Sequence, residues 1–442
     1  MNTNHFSNFS YKKLIKLAIS PILMMLFISA YSVIDGLFIS NFVGPLAFAG
    51  LNLIGPITMV IGAVGFMLGT GGSALVAKKL GENKTTEANQ IFSGIFYCVI
   101  IIGLILSLIC YIFIEQIAIL LGATPEILPF AITYGEIFMF GEVAFMIQNM
   151  FQSFCATANK SGLGFLLSVL SGILNIGLDA LFILVFKMGI SGAAYATVLA
   201  QIIGTVITII YFSKDNKSLL KLTKPSFKPK NIIKALTNGS SEFLSNIATS
   251  IVSICFNLQL ITHIGSNGVV TYGILMHISF LFNSIFMGYT VAITPIVAFN
   301  FGAKNNKEIK NLLNKSIMLN IFAGILLTTT AIILAKPLSN IFIINNIDLL
   351  NYTTNVLKLF AFSYLIYGFN TFITSFFTSL NNGFVSGTIS LFRTLIFQAG
   401  CVLILPVIFG ANGIWYSIII AECLSLILNS CLLLIYKEKY KY

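Results

Sequence analysis

The feature that most constrains this chain is the recurrence of apolar blocks of roughly 20 residues, the length an α-helix needs to cross one hydrocarbon thickness. In lipid a backbone must satisfy its own N–H and C=O groups, and continuous apolar blocks of this length do so as helices. Blocks bounded by charged or Gly/Pro/Asn-rich breaks place helices near 14–40, 46–76, 91–114, 127–154, 165–186, 191–212, 235–262, 269–299, 316–340, 354–380, 384–409 and 413–436. Apolar residues make up 57% of the chain, charged residues 9%, and the mean hydropathy is +0.95, a surface that water would not tolerate. The expected class is an all-α integral membrane protein of twelve transmembrane helices. Lys12, Lys13 and Lys16 before the first block imitate a signal peptide, but the apolar run continues to about Ser40, and a retained first helix is expected.

Loop charge orients the spans. Alternate loops collect 21 lysines on one side, among them the seven between Lys214 and Lys234, against Lys187, Lys336 and Lys358 on the other. The positive-inside rule then puts both termini and the 213–234 linker in the cytoplasm, in a cell (inner) membrane. The net charge of +11 is therefore topological, and the basic linker reads as a solvated tether that touches anionic lipid, with no nucleic-acid partner expected. The seven cysteines sit inside apolar segments without C-x-x-C or His-Cys clustering, so neither disulfides nor a metal cluster is expected. His263 and His277 read as structural, and His5 falls in the N-terminal tail.

The chain repeats itself. A shift of 221 residues superposes Val76, Ala77 and Gly81 on Val297, Ala298 and Gly302, Gly44 on Gly265, and Gly189, Gly192 and Tyr195 on Gly410, Gly413 and Tyr416. A shift of 222 brings Ser153, Phe154 and Asn159 onto Ser375, Phe376 and Asn381. Each half holds six helices and begins on the same face, which predicts two pseudo-symmetric six-helix lobes, 1–212 and 235–442, joined by the linker 213–234 and enclosing a central cleft.

Polar residues inside the spans carry the chemistry. Asp35 and Asp179 lie deep in apolar helices, where a charged carboxylate costs on the order of 2.5–3.5 kcal/mol and calls for a partner, a proton or a cation. Asn175 and Asp179, four apart on helix 5, present an amide oxygen and a carboxylate from one face, and Thr197 on helix 6 adds a hydroxyl. Such an all-oxygen set suits a hard monovalent ion or a proton. Taken alone, Asn175 and Thr197 are better read as groups that hydrogen-bond helices together. Glu142, Asn149 and Ser153 fall on one stripe of helix 4, and with Gln152 and the second-lobe residues Glu242 and Asn370 they are candidates to line a substrate cavity that would attract lipophilic cations. Arg393 is the one basic residue well inside a span, and pairing with a glutamate is the alternative reading of these polar groups.

The stretch SVIDGLFISNFVGPLAFAGLNL, the duplication, the Gly81 and Gly302 loops and the lysine-rich linker together resemble the multidrug and toxic compound extrusion (MATE) family over the whole chain. That resemblance implies a V-shaped pair of lobes exporting organic cations in exchange for H+ or Na+. It also implies ion coupling in the first lobe through Asp35, Asn175, Asp179 and Thr197, which match the pattern of the prokaryotic branch. Pro21 stands one residue closer to Asp35 than the family's spacing. Another branch pairs an acidic residue on helix 7 with an Asp after Phe on helix 10, whereas here Glu242 meets Phe369-Asn370, and an amide does not titrate. A flippase for lipid-linked precursors is the alternative within transport. No H-E-x-x-H, G-x-S-x-G or G-x-x-x-x-G-K-[ST] occurs, so an enzyme or an ATP-driven pump is not expected, nor any cofactor. The expected partners are small organic substrates and membrane lipids, and the expected state is a monomer.

With the native cysteines replaced, a cysteine at Ser218 is expected to react with impermeant maleimide only from the cytoplasmic side, and one at Asn267 only from outside. Labelling of Ser218→Cys in intact cells overturns the orientation.

Overall fold

The structure, a computed structural model, describes residues 8–225, 227–343 and 346–442, with the backbone alone for Val33 and Leu37; His5 and Ser226 of the linker lie outside the described residues. Among these residues twelve helices are long and apolar enough to cross a membrane. They are α1 (Tyr11–Phe42), α2 (Pro45–Gly81), α3 (Thr85–Ile112), α4 (Leu128–Thr157), α5 (Ser161–Val185), α6 (Ile190–Ser213), α7 (Ser240–His263), α8 (Ser266–Gly302), α9 (Asn306–Ile333), α10 (Ile347–Ser379), α11 (Gly383–Phe409) and α12 (Ala411–Tyr440). The shortest of these, 24 residues, is about 36 Å long, enough for the hydrocarbon core. The chain is a multi-pass membrane protein.

Helix ends differ from the apolar blocks in an understandable way. α3 begins at Thr85 and α9 at Asn306, well before the apolar runs start, because their polar first turns stand outside lipid and a helix continues as long as its hydrogen bonds do. Residues 335–342 are not the end of the ninth span but a separate short helix, and Ile114–Leu120 and Pro229–Asn238 are likewise short helices outside the spans. Pro21 sits inside the continuous helix α1.

The duplication is visible in the backbone. Gly44 and Gly265 both precede a 37-residue helix in left-handed backbone (φ 124° and 84°), Gly189 and Gly410 both have φ 60°, and Asn159 and Asn381 both have φ 57°. At each pair the chain must reverse within a residue or two, a conformation that glycine and asparagine adopt at least cost.

The two repeats meet where α2 and α8 cross at the linker end. A Cβ on Gly81 would lie 2.0 Å from the Phe299 carbonyl oxygen, and one on Gly302 would lie 2.0 Å from the Lys78 carbonyl oxygen. These two contacts are images of one another under the 221-residue shift. Gly71 and Gly239 make comparable approaches to Ala235 and Met67, and Ala74, Ala77 and Ala298 fill the space between. Small residues let backbones touch where lipid offers no hydrophobic drive of its own. Asn238 donates to Gly71 O (3.3 Å) and Thr378 O (2.9 Å), and Asn381 donates to Ala74 O (3.3 Å), tying α2 to the second repeat.

α1 does not keep to the lobe that sequence order assigns it. Phe9, Leu14 and Ala18 are buried with Tyr289, Ile293 and Phe372 of the second repeat, and the Phe9 N–H donates to Glu308 Oε1 (2.9 Å). Past Pro21, which faces Gly288 of α8, the helix turns to the first repeat, where Phe27 and Tyr31 face Gly172 of α5. By packing, then, the first turns of α1 belong with residues 235–442.

Gly302→Ala forces the α2–α8 crossing apart, at a cost of about 1–3 kcal/mol if the helices must shift. Spin labels at Lys84 and Lys307 should report a longer, broader distance in Gly302→Ala than in wild type, with no change in Gly400→Ala, where a Cβ meets nothing within 4 Å.

Candidate functional site

Three helices of the first lobe bring four oxygen-bearing side chains together. Asp35 lies on the C-terminal half of α1, Asn175 and Asp179 stand one turn apart on α5, and Thr197 is in the N-terminal part of α6. Asn175 Nδ2 donates to Thr197 Oγ1 (3.2 Å), whose own hydroxyl donates to Ala193 O (3.1 Å). The Asp35 and Asp179 carboxyls face each other. Directly after Asp179 the helix widens into a π turn, Ala180–Val185, an irregularity often found at functional sites.

The arrangement leaves acceptors over. Among the described residues, Asp35 Oδ1, Asn175 Oδ1 and both oxygens of Asp179 are buried without an N–H or O–H donor, and the two carboxyls lie within hydrogen-bonding reach of each other. No lysine or arginine side chain takes part, and Asp179 is 1% exposed. Four unpartnered oxygens converging from two helices, two of them on facing carboxyls, form a donor set that fits a proton or a hard monovalent cation. Two tyrosines complete the surroundings: the Tyr134 hydroxyl meets Thr197 and neighbours both carboxyls, and Tyr31 stands one turn before Asp35.

A pocket opens beside this cluster, inside the first lobe, between α1, α4, α5 and α6. Tyr31, Phe145, Gln148, Asn149, Gln152 and Ser168 are among its lining. Gln148 Nε2 donates to Ser171 Oγ (3.2 Å) and Gln201 O (3.1 Å), and Gln152 Nε2 donates to Asn149 Oδ1 (3.3 Å). Glu142 does not join this lining. Gly62, Gly65 and Gly69 let α2 approach α4 closely over Phe145, Met146, Asn149 and Met150, so the Asn149 side of α4 packs against α2. Asn149 Nδ2 accordingly donates to Gly62 O (3.3 Å).

Glu242 and Asn370 lie in the second lobe, away from Asn149 and Gln152. There Arg393 is held by Glu422 through Nε and Nη2 (2.9–3.2 Å), donates from Nη1 to Thr371 Oγ1 (2.9 Å) and stacks 4.5 Å from the centre of the Tyr367 ring. Asn370 Nδ2 donates to Glu422 Oε2 (2.7 Å), and Asn429 Nδ2 donates to Asn370 Oδ1 (2.8 Å). Asn370 is thus a bridging amide, fully buried in an ion-pair network, and is not part of a cavity wall. Glu242 is half-buried beside Tyr367.

A family model described as MatE matches residues 21–181 and 242–403, one stretch in each repeat. The chain belongs to the MatE family. It is 26% identical over 409 residues to "Multidrug export protein MepA" of Staphylococcus saprophyticus, with 89% of this chain and 88% of that protein covered. Against the protein of the same name from Staphylococcus aureus it is 26% identical over 404 residues, covering 89% and 87%. Among solved structures, a MATE in complex with MaL6 superposes with a TM-score of 0.94 at 21% identity, covering 100% of this chain and 99% of the other. A MOP superfamily transporter from Pyrococcus furiosus gives 0.93 at 22% identity, covering 100% and 99%, and an outward-facing MATE transporter gives 0.89 at 23% identity, covering 99% and 98%. At these identities the structural likeness establishes the MatE fold.

Within this MatE chain the two tyrosines of the cluster escape sequence reading. Tyr31 carries a weak signal, since it precedes Asp35 by four residues on one helix face. Tyr134 carries none, being one of 16 tyrosines, with its contact to Thr197 made only through folding.

The second-lobe network generates a stability prediction. Arg393→Leu leaves Glu422 buried without its counter-ion and should cost about 3–5 kcal/mol, while Arg393→Leu with Glu422→Leu should recover most of the loss. Thermal unfolding of detergent-purified protein, followed by size-exclusion fluorescence, checks the order: wild type and double variant well above the single variant.

Proposed function

We propose that this protein is a secondary active efflux transporter, exporting organic compounds, chiefly cations, across the cell membrane in antiport with H+ or Na+. One observation carries the reading: four buried oxygens without partners converge at Asp35, Asn175 and Asp179, beside the Thr197 hydroxyl. Two facing carboxyls in a water-poor site repel one another when both are ionised, and a proton or a small cation between them removes that repulsion. Exchange then requires no covalent step, only that ion and substrate stabilise different states of the lobe.

The relatives named for multidrug export support export as the direction of work. The adjoining pocket supports the substrate class: aromatic rings and neutral amides give a broad, adaptable surface, and the carboxyl pair next to Tyr31 supplies attraction for a cation. Both termini and the lysine-rich linker are assigned to the cytoplasm on loop charge. With the repeats packed together at the linker end, the α2–α8 crossing is where an opening to the cytoplasm would form. Arg393, the one basic residue well inside a span, is neutralised by Glu422, which disfavours a lipid flippase whose cleft would need a free cation for a pyrophosphate head group.

Purified protein in vesicles, loaded with a fluorescent organic cation, should expel it under either a pH gradient alone or a sodium gradient alone. Asp35→Asn and Asp179→Asn should each abolish gradient-driven efflux in folded, membrane-inserted protein, and Glu242→Gln should be milder. Efflux that persists in both Asp variants but stops in Glu242→Gln moves coupling to the second lobe. Efflux under neither gradient refutes H+ and Na+ antiport.

A further inference from the structure

Glu142 on α4 is fully buried, at 0% exposure, and neither of its carboxylate oxygens has a hydrogen-bond partner. It lies outside the pocket and two turns along α4 from Tyr134, apart from the Asp35–Asp179 cluster. The seam that encloses it is formed with α3. Gly103 of α3 packs on Val143 and Met146, so Ser107 and Cys110, one and two turns further along the same stripe, continue towards Glu142. The Cys110 thiol is a neighbour of the carboxyl, and Ser107 Oγ, also buried, has no partner either.

No charge is available to pair with it. α2 carries no ionisable side chain between Pro45 and Ala77, α3 presents the Cys110 thiol and Tyr111, whose ring packs on Phe140, and α6 carries only Tyr195 and Tyr211, none of them a cation. On α4 itself the nearest ionisable groups are Glu136 and Tyr134. A carboxylate left bare in this setting is expensive, and replacing it by a neutral acid restores both a donor and an acceptor to the seam.

We infer that Glu142 is a second proton-binding site of this protein, a carboxylic acid held between α3 and α4 with the Ser107 hydroxyl on the facing stripe, independent of the Asp35–Asp179 pair. The ligand is the proton alone. The seam offers two unpartnered oxygens from one side chain and a hydroxyl, too few for the shell of a metal cation, and a thiol that such a cation would not choose. The inference stands whether or not Asp35 and Asp179 couple transport, because it concerns occupancy and not turnover.

Infrared spectroscopy of the full-length protein in lipid nanodiscs reads it directly through the carbonyl stretch of protonated carboxyl groups, in ordinary and heavy water. The wild type and the Asp35→Asn/Asp179→Asn variant should share one acid band that Glu142→Gln lacks. Ser107→Ala should shift that band while leaving its area unchanged, and Glu142→Asp, for the case where Glu142→Gln does not fold, should move it. An acid region identical in wild type and Glu142→Gln, or in wild type and Glu142→Asp, overturns the inference, since Glu142 would then be ionised. Loss of the band on adding sodium at constant pH also overturns it, and assigns a cation site instead.

Discussion

The structure depends on one contact above the others, the backbone-to-backbone crossing of α2 and α8 at the linker end. Gly81 rests on the Phe299 carbonyl and Gly302 on the Lys78 carbonyl, a reciprocal pair that only residues without a side chain permit. The seam around it is made of glycines, alanines and the amide hydrogen bonds of Asn238 and Asn381. Such a seam has modest energy for its area, since lipid competes with protein for van der Waals contact and no desolvated charge has to be exposed when it parts. A joint of this kind suits the proposed transport cycle, in which two lobe arrangements would differ by only a few kcal/mol.

The two lobes share a backbone plan and use opposite electrostatics. In the second, Arg393 and Glu422 cancel, Asn370 and Thr371 bond to the pair, and Asn429 donates to Asn370. In the first, the carboxyls of Asp35 and Asp179 face one another with no basic side chain in the cluster, and acceptor oxygens are left over. A charge-compensated pair holds one geometry, while two facing carboxyls without a counter-ion change their energy with every proton or ion that enters. That contrast is the physical reason to seek ion coupling in the first lobe. α1 links the two behaviours, since its opening turns are anchored on the second lobe at Glu308 while Asp35 sits in the first.

Much of this was legible in the sequence. Twelve apolar blocks became twelve spans because hydrocarbon thickness sets a minimum length that composition alone reveals. The duplication at 221 residues was legible because glycine and asparagine mark backbone reversals that other residues resist, and Gly44/Gly265, Gly189/Gly410 and Asn159/Asn381 adopt matching conformations. Asp35 and Asp179 could be singled out because a carboxylate in lipid is costly enough to need a reason, and Asn175 and Thr197 joined them through the family resemblance. Family membership followed from the same order of features, and the family model matches both repeats.

What the sequence determined by itself was therefore local and additive: span number, repeat, and which side chains are expensive where they stand. Tertiary structure decided what those side chains face. Helical spacing gives Glu142 and Asn149 one stripe, but packing gave them different neighbours, Asn149 beside the α2 glycines and at a pocket, Glu142 near Cys110 of α3. Glu242 and Asn370 were separated from the first-lobe pocket, and Arg393 found Glu422 across 29 residues of chain. Tyr134 joined Thr197 from a helix with no periodic relation to it. The physical reason is that rotation and neighbour choice of a membrane helix are set by close packing of small residues on several helices at once, a condition that no single stretch of sequence contains.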